Sequence, residues 1–581
     1  MDHAGLSRRE LLAAISTAGA AAALGLPERA SAAVPPATPL VRSARRAATF
    51  MPRGSDLGAV EHVVFLMMEN RSYDHYFGAY PKGRGFDDHP RHSLGVFAQD
   101  YPAGTQLSPR KKLLPFHLDA NAGEECTDDL THAWGPQHLC WNNGKMDAWV
   151  RTHTSAKYEG NPDGTMTMGY YTRRDIPFYW SVADEFTLCD GYHASILGPT
   201  HPNRIMANTG TIDPAGTQGG PITFSTGSSK ALWTCSWTTV QELLEDAGVS
   251  WKVYHPSDDG QMGAQFQPYG VWDSRLYDPT ANPLILAVGD HILPYFKQYQ
   301  DQSTPLYAKA FGPSYPDELI QDIQSGSLPS VSWIIPPIGW DEHPSASPDR
   351  GAYVTNLVLS ALMADADTWS KTVLFLMYDE NDGWFDHVPP PTAPPNTPGE
   401  YLTAANLDSS TLGIRGPLGL GVRVPLLVMS PFSRGGHVVS QTFDHTSQLL
   451  LLEDRFGIHV DNISAWRRST VSSLADALFA GTPDMSMPAL AAVPEPHVTS
   501  GGRCAEINQD SDTGGAPPPT IPAEQRMPTQ SGTTVPASHF LPSAPTKRER
   551  VPARSTRSTA TMKSRANALA HGDRSVLDRL D

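Results

Sequence analysis

Apolar residues along this chain gather in short unbroken runs, and several runs end in an abrupt change of polarity. Val63–Met68, Val249–Tyr254, Ser330–Ile335, Val373–Met377 and Val424–Ser430 are five such runs. Runs of that length suit strands buried on both faces of a sheet, where strict alternation is not needed. Between them lie segments with helical spacing, Val240–Ala247, Val354–Ala366 and Thr446–Arg455, the last followed by Gly457 at a C-cap position. Strands alternating with helices across residues 59–490 predict an α/β fold, a three-layer α/β/α sandwich around a mostly parallel sheet.

Other stretches break the pattern. Residues 256–325 are rich in Pro, Asp and Gly and predict a loop-rich insertion over the crevice, a place for substrate selectivity. Residues 389–400, PPPTAPPNTPGE, fit neither helix nor central strand and predict an extended rim loop. Residues 33–58 read as a linker, and 491–581 as a disordered low-complexity tail.

Two of the strands end alike. In KTVLFLMYDENDGWFDH, from Lys371 to His387, the apolar run gives way to Asp379, Glu380, Asn381 and Asp382, then Asp386 and His387. In EHVVFLMMENRSYDHYFG, from Glu61 to Gly78, Glu69 and Asn70 follow the run. Adjacent carboxylates repel and are costly to bury unless a cation neutralises them. Hard oxygen ligands at the carboxyl ends of central strands are what a divalent cation needs. One acidic run alone reads equally well as a solvated loop. Two of the same design can present Glu69, Asn70, Asp379 and Glu380 to one crevice.

The block GPTHPNR places Thr200 where a helix can begin, after the Gly198-Pro199 turn and with Pro202 in the first turn. A hydroxyl there meets unpaired backbone N–H groups and the positive end of the helix dipole, which favour an adjacent phosphate. Taken alone, Thr200 reads as an ordinary N-cap. His343 follows the run Ser330–Ile335 and so also lies at a strand's carboxyl end. His343 and His132 are the two best candidates to contact a phosphate or protonate a leaving alkoxide. His387 and the pair Asp444-His445 are weaker candidates for substrate contact, since Asp444 can simply cap the helix starting near Thr446. Arg204 reads as locally paired.

The chain has 581 residues, enough for one large or two ordinary domains, and a hydrophobic fraction of 40% fits a globular protein. Ser7-Arg8-Arg9-Glu10-Leu11-Leu12, a short apolar segment and Ala30-Ser31-Ala32 read as a twin-arginine signal peptide over residues 1–32. The expected mature protein is exported, secreted or held at the cell surface, and no later stretch is long enough to span a bilayer. Of five cysteines, Cys126 and Cys140 are close enough in sequence to pair, and the odd count leaves at least one free. The absence of a C-x-x-C speaks against a thiolate zinc site. Residues 543–581 carry nine Lys/Arg against four Asp/Glu, and residues 1–32 balance, so the body between carries −22 of a total of −17. An acidic body argues against nucleic acid as substrate.

The blocks MMENRSYDHYFG, DLTHAWGPQHLCWNNGKMDAW, GPTHPNR, WDEHPS, YDENDGWFDHVPPPTAPPNTPGEY and RVPLLVMSPFSRGG with SQTFDHTS, in this order over about residues 59–470, resemble one family. It is the bacterial phospholipase C and acid phosphatase group of alkaline-phosphatase-like metallo-phosphoesterases. The long Pro-rich block and the low-complexity tail look like the shorter mycobacterial-type phospholipases C, although the Gln525 to Gln530 region follows the usual family ending only loosely. The resemblance implies an alkaline-phosphatase-like fold and Thr200 as nucleophile. It implies Glu69, Asn70, Thr200, Asp379 and Glu380 as ligands of one divalent metal ion, compatible with Ca, Mg, Mn or Zn. It moves His132 and His343 toward phosphate binding or acid catalysis.

The implied substrate is a phosphatidylcholine-type phospholipid at a membrane surface, cleaved to diacylglycerol and phosphocholine through a phosphothreonine intermediate. An acid phosphatase would share the same site blocks. Trp340, Trp384, Phe385, Tyr378 and Tyr73 can line a choline site through cation–π contacts or can pack in the core. A non-catalytic surface binder would show a gap at a ligand position, and none is visible. A sulfatase would need a C-x-P-x-R block, which the chain lacks.

Overall fold

The computed structural model describes residues 54–90, 93–101, 112–153, 163–225, 233–256, 290–336, 340–344, 346–493, 519–522, 524–537 and 540. The expected signal segment 1–32, most of the expected linker and most of the expected tail lie outside them. Eight strands form the central sheet: β1 (His62–Met68), β2 (Thr187–Cys189), β3 (Trp251–Pro256), β4 (Ser314–Tyr315), β5 (Val331–Ile334), β6 (Thr372–Tyr378), β7 (Leu426–Met429) and β8 (Val438–Val439). Their order is β8-β2-β7-β6-β1-β5-β3-β4. The pairs from β6 through β1, β5 and β3 to β4 are parallel, whereas β7 runs antiparallel to both β6 and β2. The α/β class and the mostly parallel sheet are therefore as expected.

Every residue of β6 and all but the first of β1 are buried, because both faces of the sheet are covered. On one face α4 (Thr200–Thr209), α5 (Val240–Asp246) and α7 (Thr446–Phe456) close over Phe65, Met67, Val253 and Trp333. Helix α6 (Pro348–Ala364) packs against β6. Three further helices matter below: α1 (Tyr73–Phe77), α2 (Trp134–Trp141) and α3 (Pro177–Glu185).

Several expectations need correction. The described part of the expected insertion is not loop alone: Pro305–Phe311 and Asp317–Ser325 are helices, the first capped by the Thr304 side chain and the second ended by left-handed Gly326. Residues 257–289 of that stretch lie outside the described residues. Cys140 is a buried free thiol, as are Cys189 and Cys235, while Cys126 is disulfide-bonded, so Cys126 and Cys140 do not pair. The tail is not wholly disordered. Arg526–Pro528 and Thr534–Pro536 form an antiparallel hairpin with Met527 fully buried. The Gln530 amide donates to the carbonyls of Tyr80, Lys82 and Gly83 and accepts from the Asp87 N–H. Gln525 accepts from the Leu114 N–H at 2.9 Å. A buried apolar anchor and two side chains that satisfy backbone groups outweigh the composition of the segment around them.

Candidate active site

Parallel pairing of β1 with β6 aligns Met68 with Tyr378, so Glu69 and Asp379 leave the sheet side by side. The chain then turns sharply at both tips. Asn70 and Asp382 adopt left-handed backbone conformations (φ 61° and 54°), as does Glu342 (φ 74°) just beyond β5. Asn and Asp tolerate this region better than most residues, and three such positions at neighbouring strand ends store strain where side chains must be aimed. The Asn70 N–H donates to Asp379 Oδ1 at 3.3 Å, and the Glu69 N–H to the Asp341 carbonyl at 2.7 Å. Three strand tips are thus tied into one rim.

Arg204 crosses to this rim from α4. Its Nε donates to Asp379 Oδ2 at 3.0 Å, and its Nη2 lies 3.3 Å from Glu69 Oε1 and 3.2 Å from Asp290 Oδ2. The expected local pairing of Arg204 is replaced by ion pairs across the sheet. One guanidinium stands against the buried carboxylates Glu69, Asp379, Glu380, Asp341 and Asp290. Burial holds Glu69 and Glu380 well above the usual carboxylate range, and neighbouring carboxylates push the same way. Burial likewise raises Asp379 against the opposing pull of Arg204, and lifts Asp341 to about 7.

A divalent cation fits this chemistry. Glu69, Asp379 and Glu380 offer carboxylate oxygens, and Glu380 Oε1 has no hydrogen-bond partner among the described residues. The Asn70 side chain is fully buried with neither its oxygen nor its nitrogen bonded among them. Buried polar atoms are rarely left so, and a hard cation satisfies the Asn70 and Glu380 oxygens at once.

Thr200 is the first residue of α4, 5% exposed, and no described residue hydrogen-bonds its hydroxyl. The turn before it is held by Asn203, whose side chain accepts from the Ile196 N–H and donates to the carbonyls of Gly198 and Pro199. Thr200 and Arg204 share a helix face, and helical side chains lean toward the N-terminus. The helix that begins at Thr200 thus also supplies the guanidinium that binds Glu69 and Asp379.

His132 is the better furnished of the two predicted histidines. Its Nδ1 faces the Leu130 carbonyl at 2.7 Å and Asp382 Oδ1 at 2.8 Å, with Asp129 Oδ1 at 3.3 Å. That leaves Nε2 toward Glu380, 3.7 Å away. Burial opposes its charge, but Glu380, Asp129 and Asp382 outweigh it and raise His132 well above the usual histidine range. The Asp382 side chain is in turn fixed by the Leu130 N–H. His343 has its ring 6.0 Å from that of His132, Nδ1 against the Pro344 carbonyl at 2.7 Å and Nε2 3.8 Å from Glu69 Oε2.

The weaker candidates go elsewhere. His387 binds Asp74 through Nδ1 at 2.7 Å and stacks on Phe97, beside the Arg423 ion pairs with Asp386 and Asp74. Asp444 accepts from the Thr446 N–H, Ser195 and Arg467. Both side chains are engaged by these partners in the protein. His445 bridges the Tyr192 hydroxyl (2.6 Å) and the Asp379 carbonyl (2.5 Å), and burial pushes it down to about 4. It braces the tip of β6 from behind. The proposed aromatic choline cage is also not formed. Trp340, Trp384, Phe385, Tyr378 and Tyr73 are all buried, with Trp384 stacked on His75 at 3.8 Å and Tyr73 under Arg423.

Sequence reasoning placed Asp382 in the acidic run and gave Asp341 at most the part of holding His343 or a loop, and it missed Asp290. Asp382 and Asp341 lie within the quoted blocks DENDGW and WDEHPS, so their spacing was a usable signal; Asp290 had none. Beside Arg204 lies a cavity of about 40 Å³ between sheet and helices, lined by Phe65, Trp333, Gln241 and Gln448. It has room for ordered water beside the Arg204 guanidinium.

A profile of the phosphoesterase family matches residues 60–459. Phospholipase C A of Mycobacterium tuberculosis is 40% identical over 552 residues, covering 91% of this chain and 97% of that protein. The non-hemolytic phospholipase C of Burkholderia pseudomallei is 40% identical over 543 residues, 90% of this chain and 71% of the relative. That of Pseudomonas aeruginosa is 39% identical over 472 residues, 77% and 62% respectively. With the matched region spanning every strand tip described above, this chain belongs to the phosphoesterase family.

Proposed function

We propose that the protein is an exported phospholipase C that cleaves phosphatidylcholine-type lipids to diacylglycerol and phosphocholine, with Thr200 as nucleophile. The observation that supports the reading is the rim itself: Glu69, Asn70, Asp379 and Glu380 are buried together, the Asn70 and Glu380 oxygens without a partner among the described residues. Thr200, whose hydroxyl no described residue bonds, lies on the helix whose Arg204 grips Glu69 and Asp379. The names of the relatives support the reaction class. A divalent cation held by Glu69, Asn70, Asp379 and Glu380 supplies positive charge that favours an ionised Thr200 hydroxyl and offsets the phosphoryl oxygens.

Thr200, its proton already lost to bulk water, attacks phosphorus in line through Oγ1. The bond from phosphorus to the glycerol oxygen breaks, and His132 Nε2–H gives its proton to the departing diacylglycerol alkoxide. Asp382 holds the opposite nitrogen of that ring and stabilises its charged form, as a carboxylate behind a catalytic histidine does. His343 Nε2 faces the phosphoryl oxygens. Water then attacks the phosphothreonine, His132 takes the water proton, and the bond to Thr200 breaks to release phosphocholine.

The test compares turnover of phosphatidylcholine, sphingomyelin and p-nitrophenyl phosphate by wild type and Thr200→Ala, with and without chelator. Phosphatidylcholine is expected to turn over fastest, and chelator or Thr200→Ala to abolish it. Fast release from the monoester alone overturns the lipid assignment, and undiminished turnover by Thr200→Ala overturns the nucleophile.

A further inference from the structure

The loop after β5 carries Asp341 and His343, and the residue between them is Glu342, fully buried with a left-handed backbone. Three tyrosines from three different elements donate to its carboxylate: Tyr76 of α1, Tyr179 of α3 and Tyr378 at the end of β6. Its backbone carbonyl accepts from Arg71 Nε at 3.1 Å and Nη2 at 2.8 Å, and Arg71 also reaches the Ala346 carbonyl at 2.9 Å. Arg71 directly follows Asn70. Gly351 in α6 completes the socket, because a Cβ there would fall 1.9 Å from Glu342 Oε1. None of the three tyrosines is exposed by more than 1%.

A carboxylate this deep, under three donors, is an unusual device for stability alone. An apolar side chain in a socket of that size would avoid the desolvation cost. What the arrangement secures is direction. A side chain locked on one wall and a carbonyl locked on the other leave the intervening backbone no freedom, so the strained φ at Glu342 is held and His343 leaves the loop at one angle.

We propose that Glu342, seated under Tyr76, Tyr179 and Tyr378, is a positioning residue that aims His343 at the phosphoryl group. The inference rests on the reading of His343 as a phosphate contact. Partners that orient a working histidine through hydrogen bonds are worth about 10- to 100-fold in activity.

The experiment is a double-mutant cycle on the full chain, using Tyr76→Phe and Tyr179→Phe, each alone and in a His343→Ala background. Each removes one oxygen and keeps the ring, so folding is preserved and checked by thermal melting. The probe is a soluble choline phosphodiester, read as kcat and KM separately. Each Tyr→Phe change is expected to lower kcat about tenfold with KM little changed, and to cost nothing further once His343 is gone. Losses that simply add to that of His343→Ala, or unchanged kcat, overturn the positioning role while the site reading stands. Full turnover by His343→Ala itself, or none by wild type, overturns both.

Discussion

At the scale of single residues, the site is a problem of excess negative charge. Glu69, Asp379 and Glu380 stand out in the sequence because each follows directly on a buried apolar run, where a change of polarity is abrupt. Their local partner was not legible. Arg204 lies 135 residues from Glu69 and 175 from Asp379, and only the sheet brings them together. Of the two readings open for the aromatics, core packing is the one observed. Tyr378 and Trp384 sit beside the acidic residues in sequence, but strand and turn geometry send them into the core. Asp382 carries the sharpest expectation at this scale. Asp382→Asn preserves shape but removes the charge that orients and charges His132, so kcat should fall roughly 10²-fold or more. Metal binding, followed by calorimetry on the same variant, should change far less. Retention of wild-type kcat would remove Asp382 from the proposed mechanism.

At the scale of elements, long strands and capped helices were readable and short strands were not. The runs behind β1 and β6 appear because both faces are buried. Strands β2 and β8, with three and two residues, have no pattern to show; β2 exists because β7 gives it a partner, and β8 because β2 does. Nor does any local signal encode that β7 runs antiparallel. The helical spacing was read only from Val354, whereas α6 begins at Pro348: proline is favoured at a helix start and Gly351 is needed by Glu342. Helix α7 offers a clean measurement. It ends at Gly457, which has φ 71° and nothing near the place of a Cβ. Gly457→Ala should therefore cost about 1 kcal/mol through backbone conformation alone, with kcat unchanged. A denaturant midpoint equal to wild type would show that the left-handed cap is not retained in solution.

At the scale of the molecule, buried neutral histidines make stability depend on pH. His193 and His291 are pushed down to about 3 by burial, far below the value near 6.5 of an unfolded chain. As pH falls below 6.5 the unfolded state takes up these protons and the folded state does not, so stability is lost in that direction. Each group contributes a slope of roughly 1.4 kcal/mol per pH unit between about 6.5 and the folded value. His193→Gln removes one such group. Its unfolding free energy should fall less steeply than that of wild type between pH 6.5 and 4.5, by one proton's worth. Parallel curves for the two proteins would place His193 in contact with solvent. Among the described residues no helix is long and apolar enough to cross a membrane. The body's −22 charge, read from the sequence, belongs to this scale too. It disfavours anionic surfaces without bearing on the fold.

The hairpin near the C-terminus sets an order of events. Tyr80, Lys82 and Gly83 are made early, and the amide that latches their carbonyls arrives about 450 residues later in Gln530. A nascent chain can assemble its sheet with this seam still open, and completion waits on a residue made long after the last strand of the sheet. Anyone trimming the polypeptide at residue 493 on the strength of its composition would discard the latch and leave the early loop undone.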